Sequence, residues 1–369
     1  MRREGIDAAL IMSPVNLYYL AGTAQRGTLI VPSSGEPQLF IVRWFERARI
    51  ETPFKCLKAK ELSSILSYVK ELKAKVVGVE EEVLPAKLYR RLNGPWRLTD
   101  VSEVILKMRM IKGPEELSLV ERAARQCDEV LEEVPNVLAE GVSEVDAASQ
   151  LERLLRLVGH DGYLNMRSWG DYMPNLVVLS PGSVKPSRLS SAGVGPGLSS
   201  ACPVGSTPKK IKRGDVVWID LSGRFKGYTA DVTRTFVVGR AKPEVLEAFN
   251  AVSEIYRALV AESLKPGVKC SEVYGRAINM ARELGFEEGF MGRGEGKVPF
   301  VGHGLGLELD EPPTLGDNDL ELRDNMVVAV EPKIVLPGYE GVGLESTVVI
   351  QGGGCKVLDR SPLELIEVS

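Results

Sequence analysis

Over residues 1–100, short apolar runs alternate with stretches that mix polar and apolar positions. The runs at residues 8–12, 29–31, 39–42 and 76–79 have the length and aliphatic content of strands, and residues 62–72 read as a helix. Strand and helix in alternation predict an α/β sheet. The pattern changes near residues 101–113, where Lys107, Arg109 and Lys112 are interleaved with Met108, Met110 and Ile111. Gly113-Pro114-Glu115-Glu116 then reads as a helix start, with proline at the first helical position and acids in the first turn. This places an α/β domain at 1–105 and a second domain at 106–369.

The second domain carries an internal repeat. Long amphipathic helices are expected at 114–138 and 243–264. Each is followed by a shorter helix. Gly141-Val142-Ser143-Glu144-Val145 opens one that ends near Gly159, and Gly267-Val268-Lys269-Cys270-Ser271-Glu272-Val273 opens one that ends near Gly285. Each pair leads through a long loop to acid-bearing strands: Asp220 and Asp231 in the first half, Glu331 and Glu345 in the second. Both hairpins contain a Gly-Tyr, Gly227-Tyr228 and Gly338-Tyr339. The shared order predicts a duplicated helix-helix-hairpin unit, packed about a pseudo-twofold axis with four acids at the junction. The second domain is therefore expected to be α+β.

The hairpin at 214–239, GDVVWIDLSGRFKGYTADVTRTFVVG, states the chemical problem. Side chains alternate faces along a strand. Asp220 thus shares a face with Val216 and Trp218, and Asp231 shares one with Thr233 and Thr235. A buried carboxylate is costly unless paired or ligating, and two side by side repel. A shared cation is one resolution. The other is that one acid caps a turn while its neighbour pairs with Arg234 or Arg224.

His303, in Gly302-His303-Gly304-Leu305-Gly306, is one of two histidines. It precedes the Glu331 strand, and imidazole with carboxylates is a common donor set for Mn, Fe, Co or Zn. His160 sits at a helix end, where it is expected to cap and to offset the dipole. The net charge is −4 with no basic block, which argues against nucleic acid. No apolar run reaches the roughly 18 residues of a membrane span. The start MRREGIDAALIMS is basic, but its apolar run is short and no small-residue cleavage site follows. Five scattered cysteines form no metal or redox pair, so free thiols in the cytoplasm are expected.

Asp220 in WIDLSG, Asp231 in TADVTRTF, His303 in GHGLG, Glu331 in AVEPKIVLPG and Glu345 in GVGLEST resemble the ligand set of the pita-bread metallopeptidases. That family includes Xaa-Pro aminopeptidases, prolidases and methionine aminopeptidases. GIDAALIMSPVNLYYLAGT and KMRMIKGPEEL resemble the prolidase and Xaa-Pro aminopeptidase branch, which carries an α/β N-terminal domain. The resemblance spans nearly the whole chain. It implies two divalent ions, with Asp231 and Glu345 bridging both, Asp220 completing one site, and His303 with Glu331 the other. It also implies a homodimer.

Two positions depart from the family pattern. Ser187, in Ser180-Pro181-Gly182-Ser183-Val184-Lys185-Pro186-Ser187, stands where the branch has one histidine, and Asp310, in LELDEPPT, stands where it has another. The Gly/Ser/Pro-rich stretch at 189–208 is also longer than the family pattern leads one to expect. By resemblance the two histidines contact the substrate, so Ser187 and Asp310 are the substrate-binding candidates. Weak cleavage of standard Xaa-Pro dipeptides is expected.

The implied chemistry is metal-assisted amide hydrolysis at a hydroxide shared by two ions, with Glu331 taking a proton and His303 acting beside it. An oxygen-rich donor set favours Mn or Co over Zn. The alternatives are a hydrolase of another small amide and a catalytically weak binding protein on the same fold.

Overall fold

A computed structural model describes residues 4–369. The basic start Met1-Arg2-Arg3 lies outside the described residues. Backbone contacts divide the chain into two compact units, Met1–Arg109 and Met110–Ser369.

The first unit is built on a mixed sheet of β1 (Ala8–Ile11), β2 (Gly27–Pro32), β3 (Gln38–Ile41), β4 (Cys56–Lys58), β5 (Val76–Val79) and β6 (Arg97–Asp100), in the order β4-β3-β2-β1-β5-β6. β1 runs antiparallel to β2 and parallel to β5. Ala8 and Leu10 pack into one apolar layer and Ala9 and Ile11 into the other. A strand covered on both faces needs a continuous apolar run, and AALI supplies one.

The second unit repeats one order of elements. In its first half, helices Pro114–Leu131 and Glu144–Leu157 precede β7 (Leu176–Leu179), β8 (Val216–Phe225) and β9 (Tyr228–Val238). The Gly113 N–H donates to Glu116 Oε2, closing the first turn of one helix, and Ser143 caps the other by accepting from the Asp146 N–H. In the second half, helices Pro243–Ala258 and Cys270–Glu283 precede β10 (Phe300–Gly304), β11 (Glu311–Gly316), β12 (Val327–Val330), a separate hairpin of β13 (Lys333–Leu336) and β14 (Glu340–Gly343), then β15 (Ser346–Gln351) and β16 (Gly354–Val357). β17 (Ile366–Val368) returns to pair in parallel with β9. The sheet orders are β17-β9-β8-β7 and β11-β10-β12-β15-β16. Each half buries its helices against its own strands. A Thr233–Glu345 bridge joins the halves where the acids meet.

His160 departs from expectation. It is buried, and its Nδ1 accepts the Gly162 N–H at 2.8 Å. Burial pushes the imidazole down to about 4, so at neutral pH it carries no charge to set against the helix dipole. The unfolded chain, with an ordinary histidine near 6.5, binds the proton more readily. Stability is therefore full above about pH 6.5 and falls as pH drops towards 4, by up to roughly 3 kcal/mol. Urea unfolding of His160→Gln between pH 4 and 7 should show a flatter slope than the wild type. An unchanged slope would show that His160 is not the group responsible.

Candidate metal centre

The acids of β8 and β9 meet because of register. Asp220 lies opposite Thr233 and Ser222 lies opposite Asp231, so the two carboxylates are diagonal neighbours on one face. Ser222 Oγ donates to Asp231 Oδ1 at 2.9 Å, and the Asp231 N–H donates to Thr347 Oγ1 at 2.8 Å. Glu331 follows β12 and Glu345 precedes β15. The Val330–Ser346 pairing of those strands brings the two glutamates together. Thr233 Oγ1 donates to Glu345 Oε2 at 2.7 Å, tying the second half to the first.

His303 arrives from β10, beside Ala329 of β12. A Cβ at Gly302 would collide with the Ala329 carbonyl and one at Gly304 with the Pro312 carbonyl, so both flanking positions require glycine. His303 Nε2 lies 3.6 Å from Glu331 Oε1 and 3.9 Å from Asp231 Oδ2. Nδ1 lies 3.3 Å from the Gly304 carbonyl. Donation there leaves the lone pair on Nε2, the atom facing the acids. Ligand atoms of Asp231, His303 and Glu345 all fall within 4.8 Å of one another.

One member of the cluster escaped the sequence reading. Lys333, the first residue of β13, sends its ammonium among the acids: 2.7 Å from Glu331 Oε2, 2.9 Å from Glu345 Oε2 and 3.4 Å from Asp220 Oδ2. Burial opposes its charge, but Glu331, Glu345 and Asp220 outweigh that and hold its pKa well above the usual lysine value. Burial, together with the charges of Glu345 and Asp220, raises the Asp231 carboxyl well above the usual range. Burial also raises Asp220, against the pull of Lys333. Glu345 Oε1 and Asp220 Oδ1 are buried with no hydrogen-bond partner. An unpartnered carboxylate oxygen beside an imidazole and a second carboxylate fits a divalent cation.

The arginines do not pair with the site acids. Arg234 reaches Asp359 at 2.7 Å, and Arg224 lies 3.5 Å from Asp161. The five expected ligands and Lys333 line one cleft of about 250 Å³, below the roughly 300–1,000 Å³ of drug-sized sites and suited to a small ligand.

The two substrate candidates fare differently. Asp310 lines the cleft, and its carboxylate accepts the Arg167 N–H at 2.6 Å and the Ser168 N–H and hydroxyl at 3.3 and 3.2 Å. It anchors the cleft wall at 167–168. Ser187 is not among the cleft-lining residues; its hydroxyl donates to the Pro203 carbonyl. Leu189, Ser190 and Ser191 of the long Gly/Ser/Pro-rich loop face the cleft instead.

Residues 118–352 match the model of metallopeptidase family M24, and residues 1–111 that of the Creatinase/Prolidase N-terminal domain. The chain is 28% identical to a Xaa-Pro dipeptidase of Pyrococcus furiosus over 372 residues, covering 99% of this chain and 97% of the relative. It is 30% identical to a Xaa-Pro dipeptidase of Pyrococcus horikoshii over 373 residues, covering 99% and 96%. Among solved structures, a Xaa-Pro dipeptidase from Bacillus anthracis superposes with a TM-score of 0.86 at 26% identity, covering all of this chain and 96% of the other. The prolidase from Pyrococcus furiosus gives 0.82 at 27% identity, covering 98% of each chain.

Proposed function

Because this chain belongs to metallopeptidase family M24, with the pita-bread fold, we propose that it cleaves Xaa-Pro bonds in dipeptides or other short peptides at a metal centre built on Asp231, His303 and Glu345. The observation that carries the reading is the convergence of those three ligand atoms within 4.8 Å, on the wall of a small cleft. The Xaa-Pro dipeptidases it resembles along their whole length support the choice of substrate.

A bound divalent ion supplies Lewis acidity, polarising the scissile carbonyl and acidifying a water. The chain does the rest. Glu331, whose Oε1 lies 3.6 Å from His303 Nε2, is placed to accept a proton from the attacking water and pass it to the departing amine. Ser222 and Thr233 hold Asp231 and Glu345 in fixed orientation. The oxygen-rich set favours Mn or Co over Zn. Asp220 and Glu331 were the expected completion of a two-ion site, and Lys333 now stands between them.

Five free cysteines suit a reducing cytoplasm, and the family resemblance implies a homodimer. Among the described residues no helix is long and apolar enough to cross a membrane.

The test is turnover of Xaa-Pro and matched Xaa-Ala dipeptides by chelator-treated protein, before and after addition of Mn, Co or Zn. The expected result is no turnover after chelation, recovery with Mn or Co, and preference for Xaa-Pro. Turnover unaffected by chelation, or equal rates on both peptide sets, would overturn the reading.

A further inference from the structure

We infer that the Lys333 ammonium occupies the position of a second metal ion, so that the centre holds a single divalent ion, at Asp231, His303 and Glu345. The inference rests on the metal reading above and narrows it.

Lys333 Nζ lies 2.7 Å from Glu331 Oε2, 2.9 Å from Glu345 Oε2 and 3.4 Å from Asp220 Oδ2. Carboxylate oxygens bind small divalent ions at about 2.0–2.2 Å. An ion bound to those same oxygens would fall almost on top of the nitrogen. The ammonium and a second ion therefore compete for one space.

The lysine is also built in. Its stem emerges from β13 opposite Gly343 of β14, and a Cβ at Gly343 would press on the Lys333 side chain. The residue is 1% exposed, and Nζ lies 5.0 Å from the centre of the Trp218 ring, an added cation–π contact. Swinging it away would break three carboxylate contacts and leave a buried charge unpaired, which is strongly unfavourable.

Asp220, Asp231, Glu331 and Glu345 are four buried acids, and one ammonium cannot offset them alone. The ammonium and one divalent ion together offset three of the four charges. The three-residue set that could hold that ion leaves out Asp220 and Glu331, two of the three acids that Lys333 engages. Glu345 serves both, with Oε2 taking Thr233 and Lys333 and Oε1 left without a partner. In the loaded protein Lys333 would act as a fixed cation beside the ion, its three N–H groups held by Glu331, Glu345 and Asp220.

The experiment is Mn²⁺ binding to chelator-treated full-length protein by equilibrium dialysis with elemental analysis, with electron paramagnetic resonance at saturation. The wild type should bind one Mn²⁺ per chain and show the spectrum of isolated ions. Lys333→Gly should bind a further Mn²⁺, whereas Lys333→Met, which removes the charge but keeps side-chain bulk in that space, should stay at one. Lys333→Gly should show the spin-coupled signal of a close pair. Second-ion affinity in the wild type should be weaker than in Lys333→Gly by more than roughly a hundredfold, given repulsion at short range in a site of low dielectric. Two coupled Mn²⁺ ions per wild-type chain would overturn the inference while leaving metal-dependent hydrolysis intact. So would a Lys333→Gly protein that is folded by circular dichroism yet still limited to one ion. Absence of any Mn²⁺ from the wild type would overturn the metal reading and this inference with it. The wild-type stoichiometry decides without any variant.

Discussion

Asp231→Asn lowers turnover of Xaa-Pro dipeptides by on the order of a thousandfold or more, while the metal-free protein unfolds at the same temperature as the wild type or higher. Asp231 is buried, 3.9 Å from His303 Nε2, and belongs to the set that could hold an ion. Its carboxyl is already pushed well above the usual range by burial and by Glu345 and Asp220, so the metal-free fold gains little from its charge. Asparagine can keep the contact with Ser222 while removing one of the repelling charges. Activity and stability should thus move apart, and Glu345→Gln should follow the same pattern. Calorimetry in chelator beside steady-state kinetics reads both. Turnover within tenfold of the wild type would remove Asp231 from the centre.

Arg234→Met should destabilise the second unit by roughly 3–5 kcal/mol, since it strips the guanidinium from a buried pair and leaves several carbonyls unsatisfied. Arg234 donates to Asp359 Oδ2 at 2.7 Å and to the carbonyls of Glu345, Thr233, Pro362 and Ser361 at 2.6–3.0 Å. It pins residues 359–362 against the Glu345 backbone, just ahead of β15. For a unit of this size the loss corresponds to a midpoint lower by about 10 °C. Arg234→Lys should recover little, because an ammonium cannot reproduce the planar fork. Arg234→Met/Asp359→Leu should recover part, since no buried charge is then left unpaired. A midpoint shift under about 2 °C for Arg234→Met would show that the network contributes little.

Much of the fold was legible because the signals are periodic. The repeat of a helix pair followed by strands survives as the two halves of the second unit, although Glu331 and Glu345 sit just outside β12 and β15 with the β13–β14 hairpin between them, and the apolar runs of the first unit became its strands. Alternation along a strand also placed Asp231, Thr233 and Thr235 on one face. The same rule argues against Arg234 as a partner for Asp231, since it points the other way, and the structure shows it bound to Asp359.

Less legible were contacts that depend on long side chains and on loops. The segment between Glu331 and Glu345 forms its own hairpin, β13–β14, whose first residue delivers Lys333 to the acids. The available clue was a lysine inside the apolar run AVEPKIVLPG, two residues past a candidate ligand. A charge in such a run demands a partner, and four acids lay within reach. Ser187 matches the family only by motif position, in a loop without periodicity, and its hydroxyl is spent on the Pro203 carbonyl. The motif position of Asp310 suggests only an acid facing substrate. Its backbone partners at 167–168 come from a segment that no sequence spacing connects to it.

Where an ion sits decides the chemistry of this cleft. Anomalous diffraction from crystals of the full-length protein soaked in Mn²⁺, collected above and below the Mn edge, locates it directly. The predicted result is one anomalous peak per chain, in contact with Asp231, His303 Nε2 and Glu345 Oε1, with Lys333 still against Glu331. A peak elsewhere in the chain, or none at saturating Mn²⁺, would contradict it.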